Sequence, residues 1–534
     1  MTASNISTTP PLLRRSLIVA SGTLLSRITG LIRVGATVAV LGATVLGDTY
    51  NRANSTPNIV YELLLGGVLT ASLLPIFVAA HENDDTSATA AIMTTALVIL
   101  GLFTVVAMIF ASSISSFFAA NVHDPIARRD ATEVGTRLVQ LFIPQMLFYG
   151  FTALATAALN ARRRFVAAAY APVLNNVVVI TMLLMVRNEL QGCSTKNCGV
   201  RFAVEHSRFV WWLGFGTTLG IVAMAAALIV PLLRMNVPLL TGRAAFRHPG
   251  VARMMRLSGW TIGYVIANQI ALLYIMRLTG TNTGALSQYQ VAFMFFQLPH
   301  GLLAVSIMTA VGSEVASAAT RGDTNLFSTR FVAGFRLLLL AMIPATGAIV
   351  AFAPALTNLV RHGKFNQHEA TQTAHVLIAM TCGLVAFSLY LYTLRAFYAY
   401  GNTRTPFMIN CVENVVNIAL AIPLFQHFGV VGLGFAFAAA YTVAGVTAIT
   451  MLQRSTGKLH LNQLVALSAK IILATALAAL VGWRIARIDY ANIGRSAIGA
   501  VATLATFFAI ARLLHLQEFS GFISAMRKRR QPRV

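Results

Sequence analysis

Charge is scarce in this chain. Of 534 residues, 10% are Asp, Glu, Lys or Arg, where soluble domains carry roughly 25%, and a water-soluble globular fold is thereby excluded. Acid is scarcer still, with 16 Asp and Glu against 40 Lys and Arg, for a formal charge of +24. Long polar segments are lacking, which leaves no room for a separate soluble domain. There is no glycine-rich phosphate loop, nucleophile elbow or His-Glu-x-x-His. The chain therefore reads as a transporter and not an enzyme, with no bound cofactor. Its energy is expected from a Na+ or H+ gradient, the membrane potential or the substrate's own gradient. No folded basic domain accompanies the positive charge, so nucleic acid is not an expected partner. No apolar run reads as a cleavable secretory signal.

Cysteine is rare as well, at 4 residues. Cys382 and Cys411 fall inside apolar runs and read as packing residues. Cys193 and Cys198 lie in the 188–207 loop, where a disulfide is expected that staples the loop. No Cys-His spacing resembles a metal site, and none is expected.

What the chain has is apolar length. It is 57% hydrophobic, with mean hydropathy +0.72. Runs of about 20 residues, each able to cross a hydrocarbon core of roughly 30 Å as a helix, recur from end to end. They predict an all-α polytopic membrane protein with fourteen spans near 15–42, 50–80, 88–118, 134–159, 166–187, 208–233, 256–279, 284–316, 328–355, 371–399, 406–427, 429–453, 463–485 and 492–514. Connections are short. The residues from Gln517 to Val534, with Arg527-Lys528-Arg529-Arg530, read as a basic cytoplasmic tail. Placing both termini in the cytoplasm puts Arg162-Arg163-Arg164 and the Arg234–Arg256 stretch inside, as the excess of Lys and Arg on inner loops requires.

Two matches point to an internal repeat. Pro57 in the second span corresponds to Pro299 in the eighth, and Asn176-Val177-Val178-Val179-Ile180 in the fifth echoes Asn414-Val415-Val416-Asn417-Ile418 in the eleventh. Both offsets are near 240 residues and map span n onto span n+6. Six is even, so the two halves share one orientation, as in transporters that form a cavity between two rocking bundles. The expected organisation is a six-helix lobe over 1–240, a second over 241–455, two extra helices over 456–516 and the tail over 517–534.

Polar residues inside spans mark the candidate site. Arg27 and Arg33 sit in the first span with no acidic residue beside them, and an arginine at a helix centre costs roughly 2.5–3.5 kcal/mol to insert. Six residues separate them, about 9 Å along a helix and about 120° around it. An ideal helix does not align them; Gly30 between them permits a bend or an unwound turn. Two guanidiniums at that separation suit an extended anion such as a diphosphate. The alternatives are snorkelling to opposite interfaces or pairing with Asp48 and Glu62. In the second span Asn51, Asn54, Ser55, Asn58 and Glu62 recur on one helix face, with Asp48 and Arg52 at its outer end and Pro57 interrupting the ladder. Such a stripe faces a cavity or another helix. Tyr264, Asn268 and Gln269 in the seventh span and Gln290, Gln297 and His300 in the eighth are further candidates. Asn410, Glu413, Asn414 and Asn417 share a face of the eleventh, where Glu413 and Asn414 are candidates for ion coupling; Arg395 and Arg404 are possible partners for Glu413.

These residues resemble a known family. Ser26-Arg27-Ile28-Thr29-Gly30-Leu31-Ile32-Arg33 is similar to the first-span motif of the MurJ/MviN lipid II flippases. Asp48 through Pro75, with Pro57-Asn58 and Gly66-Gly67, is similar to their second span. Gln297-Leu298-Pro299-His300-Gly301 resembles the Leu-Pro-x-Gly of the eighth. The run from Arg395 to Pro406 resembles Arg-x-Phe-Tyr-Ala…Asp-Thr-Lys/Arg-Thr-Pro. The likeness covers essentially the whole chain. It implies fourteen helices in two six-helix lobes, a cationic central cavity and a lipid groove formed with the last two helices. The implied substrate is the undecaprenyl-diphosphate-linked peptidoglycan precursor, and the implied setting is a bacterial cell membrane.

By the same resemblance, Arg27 and Arg33 match cavity arginines and Asp48 an acidic residue of the second span. Three positions depart from the pattern: Val34, Tyr61 and Met294 stand where an acid and two arginines are usual. Arg52 is then the expected substitute in the cationic cluster. The mechanism this implies has Arg27 and Arg33 holding the diphosphate, the second-span stripe meeting sugars or peptide, and the polyprenyl tail staying in lipid. Pro57 and Pro299 are the bending points. Beyond the lipid substrate and membrane lipids, wall-synthesis proteins are possible partners. The alternatives are a flippase for another polyprenyl-diphosphate-linked sugar, an ion-coupled drug exporter and a non-transporting scaffold.

Overall fold

The computed structural model describes residues 10–514, apart from 63–76, 79, 81, 83–84, 163, 191, 194, 236–241, 243–244, 246–247, 250, 252–258, 458, 460–461 and 488–492. The basic tail, Gly66, Gly67, Pro75, Arg163 and much of the 234–256 connection lie outside the described residues. Regular structure among the described residues is helical throughout. Twelve helices are long and apolar enough to cross a bilayer, and a bent pair makes a thirteenth. The second expected span is described as a helix over Val45–Tyr61, and most of its remainder lies outside the described residues.

Packing divides the chain into two compact units, residues 1–287 with 362–365, and residues 288–361 with 366–534. In the first unit α1 (Pro10–Leu41) and α2 (Val45–Tyr61) lead into a third span broken at Phe110, α3 (Thr86–Ile109) and α4 (Ala111–Ala119). A fourth span breaks at Pro144 into α5 (Pro125–Phe142) and α6 (Gln145–Ala161). Then come α7 (Phe165–Val186), the short α8 (Cys198–Glu205), α9 (Ser207–Leu233) and α10 (Gly259–Leu278). Leu138, Phe142, Met146, Leu154, Phe209 and Leu228 are wholly buried in its core. Asp85 caps α3 by accepting from Ser87 Oγ and the Ala88 amide; those bonds, the first being the larger, hold its carboxyl below the usual range.

The helix α11 (Ala285–Pro299) opens at the division between the units. The second unit continues with α12 (Val305–Thr320), α13 (Thr324–Asn358), α14 (Gln367–Thr381), α15 (Leu384–Ala399), α16 (Arg404–Phe428), α17 (Val430–Thr456), α18 (Asn462–Ala486) and α19 (Ile493–Leu513). A cluster of Phe296, Phe387, Phe437 and Tyr441 rings packs mostly edge to face within it. Between α14 and α15 the axis turns by 46°. There Gly383 lets the backbone approach Ala438 closely, since a Cβ would stand 2.6 Å from the Ala438 Cα.

Large apolar side chains cover the outside. Leu102, Ile109, Val415, Val446, Val465 and Leu504 are each more than half exposed, a coat that water would penalise and hydrocarbon accepts.

Candidate functional site

The arginines of α1 set the site. The helix runs unbroken from Pro10 to Leu41, so the ladder is not unwound at Gly30. The reason is local: Asn176 on α7 donates from Nδ2 to the Ser26 carbonyl at 3.2 Å and to Thr29 Oγ1 at 2.9 Å, clasping the turn before Gly30. Thr29 and Thr37 also return their hydroxyls to Leu25 and Arg33 carbonyls, and the helical ladder stays continuous past both. Arg27 is exposed and Arg33 is half-buried. The Arg33 guanidinium lies within electrostatic reach of Tyr50 on α2 and Tyr149 on α6. Among the described residues neither arginine forms an ion pair. The regular helix leaves the two pointing in different directions, with about 9 Å of rise between them.

In α2 the polar residues divide between two environments. Asp48 is 2% exposed and is not an open cavity acid. Its Oδ2 accepts from the Gly284 amide at 2.8 Å, and its Oδ1 accepts from the Ser287 amide at 3.0 Å and Ser287 Oγ at 2.8 Å. Gly284 has φ +85°, and its α-carbon meets the Ala43 carbonyl so closely that a Cβ has no room. Asn51 Nδ2 donates to the same Ser287 hydroxyl at 3.1 Å. Arg52 is also buried, at 4% exposure. Its Nε donates to the Met276 carbonyl at 3.3 Å and its Nη2 to Thr279 Oγ1 at 3.5 Å, with Asp48 within electrostatic reach. In this arrangement Arg52 ties α2 to the end of α10 and does not join the α1 arginines as an anion ligand. Asn54, Ser55 and Glu62 remain partly exposed and Asn58 exposed, so the accessible part of the stripe is its second half. Tyr61, one of the departures from the family pattern, stacks obliquely on Tyr149 at 6.0 Å, the tyrosine that faces Arg33.

In the second unit Pro299 is followed by a π-helical turn, His300–Ala304, before α12 resumes. A local widening of this kind re-routes backbone bonds and is frequent at functional positions. His300 is buried, with Nδ1 at 3.0 Å from Ser388 Oγ and its ring edge-on to Phe387; it is a packing histidine. Gln297 is partly exposed, as is Asn268 in the first unit. The polar face of α16 is internal: Asn410 and Glu413 are 1% exposed, and Asn414 and Asn417 are buried. Asn410 Nδ2 lies 3.5 Å from Glu413 Oε2, and Asn414 Nδ2 donates to the Asn410 carbonyl at 2.9 Å.

One buried acid escaped the sequence reading. Glu369, 4% exposed, takes a 2.6 Å hydrogen bond from Gln288 Nε2. It stands in the first turn of α14 beside a capping asparagine, Asn366, so sequence marks it as an ordinary N-terminal helix acid.

Away from these helices, Cys193 and Cys198 are joined in a disulfide. The bridged loop docks on α2 through the Val45 amide and the Lys196 carbonyl, and on the start of α5 through Asn197 and Asp124. Its part is structural.

A family model described as "Lipid II flippase MurJ" matches residues 37–492. A relative from Burkholderia cenocepacia, "Lipid II flippase MurJ", is 27% identical over 519 residues, covering 94% of this chain and 96% of its own. Among solved structures, "Lipid II flippase MurJ, inward closed conformation" superposes with TM-score 0.73 at 18% identity, over 94% of this chain and 100% of that one. An inward-facing multidrug resistance MATE family transporter matches with TM-score 0.64 at 14% identity, over 84% and 99%.

Proposed function

The chain belongs to the lipid II flippase MurJ family, and from that premise we propose that it moves lipid II from the inner to the outer leaflet of a bacterial cell membrane by alternating access. The observation that carries the reading is the pair Arg27 and Arg33, two guanidiniums inside one span with no ion-paired carboxylate among the described residues. A cation placed there repays its insertion cost only by meeting an anion or water. The diphosphate of the substrate is that anion. Arg33, backed by Tyr50 and Tyr149, offers the fixed contact; Arg27, exposed, offers the mobile one. Asn54, Ser55, Asn58 and Glu62 of α2 meet the sugars or peptide, and the polyprenyl tail stays in lipid. Asp48 and Arg52 hold α2 in position and touch no substrate.

Both termini lie in the cytoplasm in this proposal, and transport draws on a Na+ or H+ gradient or the membrane potential. Glu413 with Asn414 is the carrier: a carboxyl this deep in a span changes charge only with a proton or a cation. With Glu413→Gln, protein of normal abundance is expected to flip lipid II at a rate that no longer responds to an imposed ion gradient. A full gradient response in that variant removes Glu413 from the coupling role.

The test of the site is complementation in cells depleted of the protein. Arg27→Ala and Arg33→Ala are each expected to cut outward lipid II exposure about tenfold or more, since a hydrogen bond to a charged group is worth about 1.5–3 kcal/mol. Normal growth with normal exposure in both variants defeats the reading.

A further inference from the structure

In the same unit as the α1 arginines, a second basic site lies between the third and fourth spans. An open cavity of about 650 Å³ lies between α4 and α5, lined among others by Ser112, Arg128, Arg129, Thr132, Glu133 and Arg137. The α5 residues recur at three- and four-residue spacing and so share one helix face. Arg128 and Arg129 are exposed in the first turns, and Arg137 lies about 12 Å deeper along the axis.

Two features separate this face from ordinary snorkelling. Arg137 uses Nη2 on Glu133 Oε1 at 2.8 Å, but its Nη1 is buried with no hydrogen-bond partner among the described residues. Three guanidiniums face one carboxylate, so the cavity keeps an excess of positive charge. The second feature is a track beside it. Leu102, Val105 and Ile109 are each more than half exposed and fall on one face of α3, which ends three residues before Ser112. An apolar stripe in the hydrocarbon that leads up to a cationic cavity has the form of a phospholipid.

We propose that this cavity binds the phosphate headgroup of an anionic phospholipid, with an acyl chain along the α3 stripe. The phosphodiester takes the fork of Arg137, whose side chain is 38% exposed, and one of the two exposed arginines, geometry that planar guanidinium favours over ammonium. Ser112, which also lines the cavity, supplies a neutral donor. The site is independent of the transport site and neither requires nor excludes the lipid II reading.

The test uses the full chain in phosphatidylcholine nanodiscs with phosphatidylglycerol titrated in, the retained lipids being counted by mass after release. Wild type is expected to retain phosphatidylglycerol over phosphatidylcholine, and Arg128→Gln/Arg129→Gln/Arg137→Gln to weaken that retention about tenfold or more. If the triple variant does not fold, Arg137→Lys decides: it keeps the charge, loses the fork and is expected to weaken retention while leaving thermal stability near wild type. Inorganic phosphate added at equal concentration is expected not to displace the lipid, because it gains nothing from the α3 track. Equal retention of both lipids by wild type, retention unchanged in the variants, or displacement by free phosphate would each overturn the proposal.

Discussion

Asp48 and Arg52 stand one helical turn apart, and sequence places both at the outer end of a polar stripe that faces a cavity or another helix. Their burial gives them another task. Asp48 satisfies two amides and a hydroxyl at Gly284 and Ser287, and a buried donor left unpaired costs about 1–3 kcal/mol. Asp48→Ala is therefore expected to lower thermal stability in detergent markedly, and Asp48→Asn, whose carbonyl oxygen still accepts, to lower it less. Equal loss in the two variants would show that the acceptor role is not what matters. The partners lie 236 and 239 positions away, a distance at which no local pattern speaks, and so the role was not legible in advance. Asn176 makes the converse case. Sequence reading noticed it only as part of a repeat, yet it clasps Ser26 and Thr29 beside the arginine turn. Hydrogen bonds between membrane helices are worth about 0.6–2 kcal/mol. Asn176→Ala is expected to cost about that much stability and to reduce transport while leaving abundance near normal, measured by thermal unfolding and complementation.

At the scale of the element, the long apolar runs were legible because hydropathy integrates over a whole span, and the described residues hold twelve helices, or thirteen with the bent pair, able to cross a bilayer. The breaks inside spans were not. Phe110, Pro144 and Gly383 interrupt helices without interrupting hydrophobicity, and only the prolines left a mark in sequence. Pro299 is the exception: it was read as a bending point, and a π-helical turn follows it. Two glycines give a matched test of helix packing. A Cβ at Gly432 runs into the Leu424 carbonyl and its neighbours in the backbone of α16, so Gly432→Ala is expected to disrupt the α16–α17 pair and lose folded protein. A Cβ at Gly30 meets only Asn176 Nδ2, at 3.7 Å, so Gly30→Ala is expected to fold as wild type. Loss of transport by folded Gly30→Ala would show that the cycle needs backbone freedom at Gly30, although the helix is continuous there. Fluorescence-detected size exclusion and complementation read both outcomes.

For the whole molecule, composition alone excluded a soluble enzyme, and charge placement within spans singled out α1. The division of labour among the charged residues needed coordinates. Within the first unit the basic side chains stand in three settings: Arg52 is buried against the Met276 carbonyl, Arg27 and Arg33 are proposed to meet substrate, and Arg128, Arg129 and Arg137 are proposed to meet membrane lipid. All are arginines in or beside apolar helices, and sequence gives each the same appearance. Their environments separate them: buried against carbonyls, unpaired within a span, or gathered on a cavity between two spans.

The most direct measurement is lipid II exposed on the outer leaflet of depleted cells that carry Arg27→Ala, Arg33→Ala or wild-type protein at matched abundance. The account expects exposure to fall about tenfold or more in each variant and Arg33→Lys to recover only part of it, since lysine restores charge without the guanidinium fork. Wild-type exposure in both alanine variants would contradict it.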